Sequence, residues 1–225
     1  MIAEVSSLSN THPLWILGFT FALTLVPLLI GATTSYLKIS IVLALLRNGL
    51  GLQQSPNALV VMVLALALSF LVMGPAIRET NKIAQTVSLA KLKSAPSTEV
   101  LARLMEVIKP WRTFLERHAG SNEVRALREL SLEAQSAEAP PTLDILIPAF
   151  VLSELKEAFS MGFLLLLPFL VIDLVVANIL AGLGMYMVSP AMISLPLKLL
   201  LFVSVDGWLL LSRALVLSYG GQIVS

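Results

Sequence analysis

The chain has 225 residues, 57% of them hydrophobic and 13% charged, with a formal net charge of +1 and no cysteine. An ordinary soluble domain carries about 25% charged residues, so this chain has more apolar surface than one globular core hides, and a lipid-embedded protein is the economical reading. Without cysteine there are no disulfides, thiolate metal sites or cysteine nucleophile, and with no basic stripe there is no reason to expect nucleic acid.

The N-terminal stretch "MIAEVSSLSNTHPLW" carries Glu4 and no Lys or Arg. It lacks the basic region of a cleaved signal peptide and is expected to stay attached. Uncharged stretches follow at 14–37, 48–77, 158–172 and 174–197. A bilayer core needs about 20 apolar residues per helix, which predicts four spans near 14–36, 57–76, 159–181 and 192–214. With no strand alternation long enough for a barrel and no solenoid repeat, the fold class is all-α.

Between the second and third spans the composition changes. Residues Arg78 to Glu157 hold eleven Lys+Arg and eleven Asp+Glu, leaving four basic and three acidic residues elsewhere. Within this polar insertion, Leu101, Leu104, Ile108, Trp111 and Leu115 recur at helical spacing after a Ser97 N-cap and before a stop at Gly120, with Pro110 as a kink. A second amphipathic helix starts at a Ser121 cap, places Val124, Leu127 and Leu130 on one side, and is ended by "SAEAPP". The chain thus divides into an apolar hairpin (1–77), a polar helical domain (78–157) and a second apolar hairpin (158–225). Arg78, Lys82, Lys91, Lys93 and Lys156 flank the insertion, and counted literally they place it in the cytoplasm. Loops beyond about 60 residues are largely exempt from that rule.

Pro148 suits the first turn of the third helix, and Glu154 and Glu157 fall on adjoining faces where it becomes apolar. The third and fourth spans are separated by "LAGLGMYMVSPAMISLPLKLL", which holds Met185, Met187 and Met192 beside Gly182, Gly184 and Pro190. This stretch is too apolar for a water-facing turn and too rich in Gly and Pro for a continuous helix. Methionine is unbranched and polarizable and accommodates changing neighbours. Composition alone favours simple packing in a re-entrant turn, but irregular backbone at membrane depth is also tolerated where it lines a cavity.

Catalytic signatures are missing. His12 and His118 both lie outside the apolar runs, and there is no H-E-x-x-H, G-x-S-x-G or phosphate-binding G-x-x-x-x-G-K-[ST]. No enzyme activity, cofactor or metal is therefore expected. Four charges interrupt the apolar runs: Lys38, Asp173, Lys198 and Asp206. Each costs about 2.5–3.5 kcal/mol at a helix centre, so they act either as structural partners or as an ion or proton relay. Lys198 and Asp206 are eight residues apart, too far for a direct i,i+4 pair.

The blocks "TSYLKISIVLALLRNGLGLQQSPNALV" (34–60), "LDILIPAFVLSELKEAFSMGFLLLLPFLVIDLVVANILAGLGMYMVSP" (143–190) and "ISLPLKLLLFVSVDGW" (193–208) resemble the SctR/FliP family, inner-membrane export-apparatus proteins of type III secretion and flagellar assembly. The match is weak across 80–140, and the absence of a basic leader resembles the injectisome branch. The resemblance implies a homo-oligomer, a pentamer, that joins smaller related membrane subunits in a closed-gate complex passing unfolded secreted proteins across the bacterial inner membrane. It also implies hairpins raised above the bilayer plane and a periplasmic location for the insertion, against the literal charge count. Met185, Tyr186 and Met187 correspond to the family's channel gasket, where flagellar members tend to have consecutive methionines, so Tyr186 is a departure. Gly182, Gly184 and Pro190 are its hinge, and Glu154 and Lys198, in "SELK" and "LPLK", match positions that pair across neighbouring subunits. Lys38, Asp173 and Asp206 remain as buried charges. The alternative function is an ion- or proton-coupled carrier using Asp173 and Asp206.

Overall fold

Ile39, Val42, Leu43, Leu46 and Leu50 follow one another at helical spacing and are all essentially inaccessible, so one short helix forms the centre around which the rest packs. The computed structural model describes residues 13–52, 57–86, 97–131 and 140–220, and every regular element among them is helical. In chain order these are α1 (Pro13–Thr33), α2 (Tyr36–Gly49), α3 (Ala58–Thr86), α4 (Ser97–His118), α5 (Ser121–Leu130), α6 (Leu143–Gly182), α7 (Ala191–Ser204) and α8 (Gly207–Gly220). Glu4, His12, Lys91, Lys93 and most of "SAEAPP" lie outside the described residues.

The central helix α2 packs most extensively against α6 and also lies against α3. The α2–α6 approach is close because small residues stand at the contact. A Cβ at Gly162 would overlap the Leu45 side chain, and one at Gly49 would overlap Leu166. At its far end α2 stops at Gly51, whose φ of +76° suits glycine.

Among the described residues two helices are long and apolar enough to cross a membrane, Ala58–Gln85 and the 40-residue Leu143–Gly182. The first expected span is largely α1, whose described apolar stretch runs over Leu17–Pro27 with Leu17, Phe19, Phe21 and Leu23 exposed. The fourth expected span, 192–214, is not one helix. Its halves, α7 and α8, meet at an angle of 63°. The break has a local cause: Asp206 adopts φ +52°, and Gly207 lies so close under the Phe202 ring that a Cβ would overlap it.

The insertion helices cover the polar half of α6. Helix α4 packs against α3 and α6, burying Phe114 and Leu115, while Trp111 is half-buried and donates from Nε1 to the Thr33 carbonyl at 2.9 Å. It runs on through Pro110. Helix α5 lies on α6 without a fully buried residue, and Leu130 is exposed. Gly120, not Ser121, occupies its N-cap position, because the Gly120 N–H donates to Ser153 Oγ of α6 at 2.7 Å. Helix α6 runs unbroken through 157/158, where the sequence changes from polar to apolar.

If the α2–α6 approach sets the core, Gly162→Leu destabilises the detergent-purified protein by about 1–3 kcal/mol through overpacking. Gly18→Leu, at a position with nothing within 4 Å, does not. Thermal unfolding of the two variants beside the parent measures the difference.

Candidate functional site

The charges that interrupt the apolar runs fall at two places in the fold. The first surrounds Lys38 on α2, whose side chain is 0% exposed. Its ammonium lies 2.7 Å from Glu157 Oε2 and 3.5 Å from Glu154 Oε1, both on α6, and 3.7 Å from the centre of the Tyr219 ring on α8. The Tyr219 hydroxyl donates a short hydrogen bond to Glu154 Oε2, so Glu154, itself 1% exposed, has a partner at each oxygen. Glu157 is 54% exposed and carries the cluster to the surface. A desolvated ammonium between two carboxylates and an aromatic face is a strong but conditional arrangement, since removing one member leaves an uncompensated charge.

Neighbouring helices close around this cluster. Ser35 Oγ lies 3.0 Å from Ser69 Oγ, which links the start of α2 to α3. Phe114 and His118 of α4 sit against Tyr219, with ring centroids 6.1 and 5.1 Å away. Partial burial is the main cause holding the His118 imidazole below its ordinary pKa, and its Nδ1 lies 2.8 Å from the Phe114 carbonyl. On the outer side of α6, the exposed Lys156 bonds Glu123 of α5 at 3.0 Å, and that bond draws the half-buried carboxyl below the usual range.

The second charged place is at the opposite end of α2. Lys198 of α7 donates to Asp173 Oδ2 of α6 at 2.6 Å and to the Gly49 carbonyl at 3.1 Å. A cation at a helix C-terminus satisfies a carbonyl that has no partner within the helix. Asp173 is therefore the partner that spacing along the helix of Lys198 did not provide. Within one chain the structure does not bring Glu154 and Lys198 together: each holds a different partner. Of the three charges expected to be buried, only Lys38 is. Asp173 is 41% exposed at the edge of the α6–α7 contact, and Asp206 is exposed because it occupies the helix break.

The turn between α6 and α7 owes its shape to a helix stop. Gly184 has φ +73°, its N–H donates to the Ala181 carbonyl at 3.1 Å, and the Met185 N–H reaches the Leu180 carbonyl at 2.9 Å. These two bonds form a Schellman C-cap, which places a residue in the left-handed region and favours glycine there. Gly182 is the last helical residue and would accept a Cβ without a neighbour within 4 Å, so of the two glycines Gly184 carries the bend. Pro190 caps the start of α7. Between these caps Met185, Tyr186 and Met187 are exposed, Met187 completely, and Met192 follows, also exposed. This is an apolar tip at the end of a helical hairpin, and among the described residues no element covers it.

Tyr219, Ser35, Ser69 and the Phe114–His118 pair are parts of the hub that the sequence reading missed. Apart from Ser35, which precedes Lys38 by three residues, no local signal joins them to Lys38, because their contacts link helices far apart in the chain. Among the described residues, no group of three or more His, Asp or Glu is placed to hold a metal.

The FliP family model matches residues 19–215, which include the tip and the charged residues Lys38, Glu154, Glu157, Asp173 and Lys198, with Tyr219 just beyond its end. This chain belongs to the FliP family. It is 43% identical over 206 residues to the Yop proteins translocation protein R of Yersinia pestis, covering 88% of this chain and 93% of that protein. To the virulence protein YscR of Salmonella typhimurium it is 40% identical over 215 residues, with 92% and 97% covered. To the flagellar biosynthetic protein FliP of Cereibacter sphaeroides it is 42% identical over 211 residues, with 93% and 68% covered. Family membership and the apolar helices together make this a membrane-embedded protein.

The Lys38 cluster gives a measurable asymmetry. Lys38→Met, which leaves Glu154 buried without its cation, lowers stability by about 3–5 kcal/mol. Lys38→Met combined with Glu154→Leu removes both charges and recovers much of that loss. Thermal or denaturant unfolding in detergent, run as a double-mutant cycle, reads the coupling.

Proposed function

We propose that this FliP-family chain is a non-enzymatic core subunit of a type III secretion export apparatus in the bacterial inner membrane. With copies of itself, in a pentamer, and with smaller related subunits, it encloses a gated channel for unfolded secreted proteins. The observation that carries the reading is the tip at 185–187: large, soft apolar side chains exposed at a capped turn. Side chains of this kind conform to many passing sequences, and an apolar constriction stops ions by dewetting without a charged gate. Tyr186, 84% exposed on the same turn, joins the two methionines in that seal. Gly184 and Pro190 fix where the turn starts and ends, and Gly182 adds a residue without a side chain beside it.

The polar helices of 78–157 form the periplasmic domain in this reading, with the apolar hairpins of 1–77 and 158–225 on either side. The names of the relatives, a translocation protein, a virulence protein and a flagellar biosynthetic protein, support a role in export and in virulence-associated secretion. The carrier alternative draws less support, since Asp173 is engaged by Lys198 and Asp206 serves an exposed helix break.

Replacing Met185 and Met187 together by alanine leaves the complex assembled and makes the resting membrane leak small ions. Ion flux into vesicles or cells carrying the assembled complex measures this, and unchanged tightness removes the seal. Between neighbouring copies, a Glu154–Lys198 pair requires Glu154 to exchange Lys38 for the neighbour's lysine. Lys198→Glu then dissociates the oligomer, and added Glu154→Lys partly restores its size on native gels. Restoration by Asp173→Lys alone confines the lysine's pairing to one chain.

A further inference from the structure

His118 takes no part in the ion pairs of the hub, yet it stands against the hub's tyrosine. It ends α4, one turn after Phe114, and its ring centre lies 4.4 Å from that of Phe114 and 5.1 Å from that of Tyr219. Its Nδ1 is 2.8 Å from the Phe114 carbonyl, which can only accept, so the neutral ring carries its proton there and leaves Nε2 as a bare acceptor. That Nε2 is buried and has no hydrogen-bond partner among the described residues. Any further proton must go to this atom.

The surroundings set the cost of that proton. From α2 the ring faces Lys38, whose ammonium sits 3.7 Å from the centre of the same Tyr219 ring; from α6 it faces Glu157, with Glu154 behind the Tyr219 hydroxyl. Glu79 of α3 shares a cleft with it, and on α4 itself Arg117 adjoins it, while Glu106 and Lys109 stand more than two turns toward the N-terminus. Burial works most strongly against the imidazolium. The Phe114 and Tyr219 carbonyls favour it, although neither closes a hydrogen bond to Nε2; Lys38 opposes it and Glu157 favours it. Burial prevails and holds the pKa below the ordinary 6.5. A charged ring also has somewhere to go, because His118 lines the cleft of about 460 Å³ between α3, α4 and the end of α8. Movement is confined to the last turn of α4: Trp111 Nε1 holds the Thr33 carbonyl at 2.9 Å on one side, and the Gly120 N–H holds Ser153 Oγ at 2.7 Å on the other.

We propose that His118 is an acid-operated latch between α4 and α8: neutral, its ring closes on Tyr219; protonated, it turns away into the cleft, where Glu79 offers a carboxylate. The latch acts on the hub without touching Lys38 or Glu154. Tyr219 covers the Lys38 ammonium and bonds Glu154, so a ring that loses its packing against His118 loosens α8 from α2 and α6 together. Between the pKa of the folded His118 and 6.5 the unfolded chain binds more protons than the folded one. The contact therefore contributes fully above 6.5 and is lost as the pH falls through that window. The inference rests on the geometry of the hub, and neither the export reading nor a position in the membrane enters it.

The test uses NMR on the full-length protein in detergent, with isotope-labelled histidine and ring-labelled tyrosine. The chain has two histidines and three tyrosines, so His118→Gln and Tyr219→Phe assign the signals. His118 shows the Nδ1–H tautomer when neutral and titrates with a midpoint below 6.5, and the Tyr219 ring signal shifts with the same midpoint. In thermal unfolding, the parent's unfolding constant rises as the pH falls below 6.5, by up to about ten-fold per pH unit, the limit for one proton. His118→Phe keeps a ring against Tyr219 but takes no proton, and it removes that rise. A midpoint at or above 6.5, a Tyr219 signal that stays fixed while His118 titrates, or an unchanged rise in His118→Phe overturns the proposal. The two titrations are made on the parent, so they decide even where the phenylalanine variant does not fold.

Discussion

The fold depends on one ammonium group in a place where water does not reach. Lys38 lies inside the apolar stripe of α2, and its charge is tolerable only because α6 supplies two carboxylates and α8 an aromatic ring. Such a cluster adds little net stability over an apolar replacement, but it is intolerant of partial assembly. Helices that could slide along greasy surfaces in many registers are held in the one register that satisfies the charge. The Tyr219 hydroxyl bond to Glu154 extends this selection to the last helix, and the Ser35–Ser69 contact extends it to α3. Lys198 repeats the device at the other end of α2, where it joins α7 to α6 and to the α2 C-terminus.

Much of the architecture was legible in the sequence because it rests on local patterns. Apolar runs longer than a core needs, separated by a block of charge, gave the all-helical class and the polar insertion. The two amphipathic helices of that insertion appeared where the spacing of Trp111, Leu115 and Val124 put them. The break within 192–214 was not legible. A hydropathy window averages over Asp206, whereas the bend arises from one left-handed residue beside one glycine packed under a phenyl ring.

The candidate site shows the same division. Lys38, Glu154, Asp173 and Lys198 stood out because charge is rare among apolar residues, so their importance was readable one at a time. Their partners were not, because Lys38 and Glu157 are 119 positions apart and Glu154 and Tyr219 are 65 apart. Nothing in a single sequence encodes contacts at that range except the unexplained charge at each end. The turn at 183–190 lies at the opposite extreme. Its Schellman cap is a purely local event, so the glycines announced the stop, whereas composition favoured packing of the methionines that the structure leaves exposed.

Helix α6 carries Glu154 in the charged hub and ends at the methionine-bearing turn, with 28 residues of continuous helix between Glu154 and Gly182. At 1.5 Å per residue this is a lever arm of about 42 Å, so pivoting by about 5° at the hub displaces the tip by about 4 Å, roughly the width of a methionine side chain. The helix itself converts a small rotation among buried charges into a displacement of the turn that carries the soft side chains.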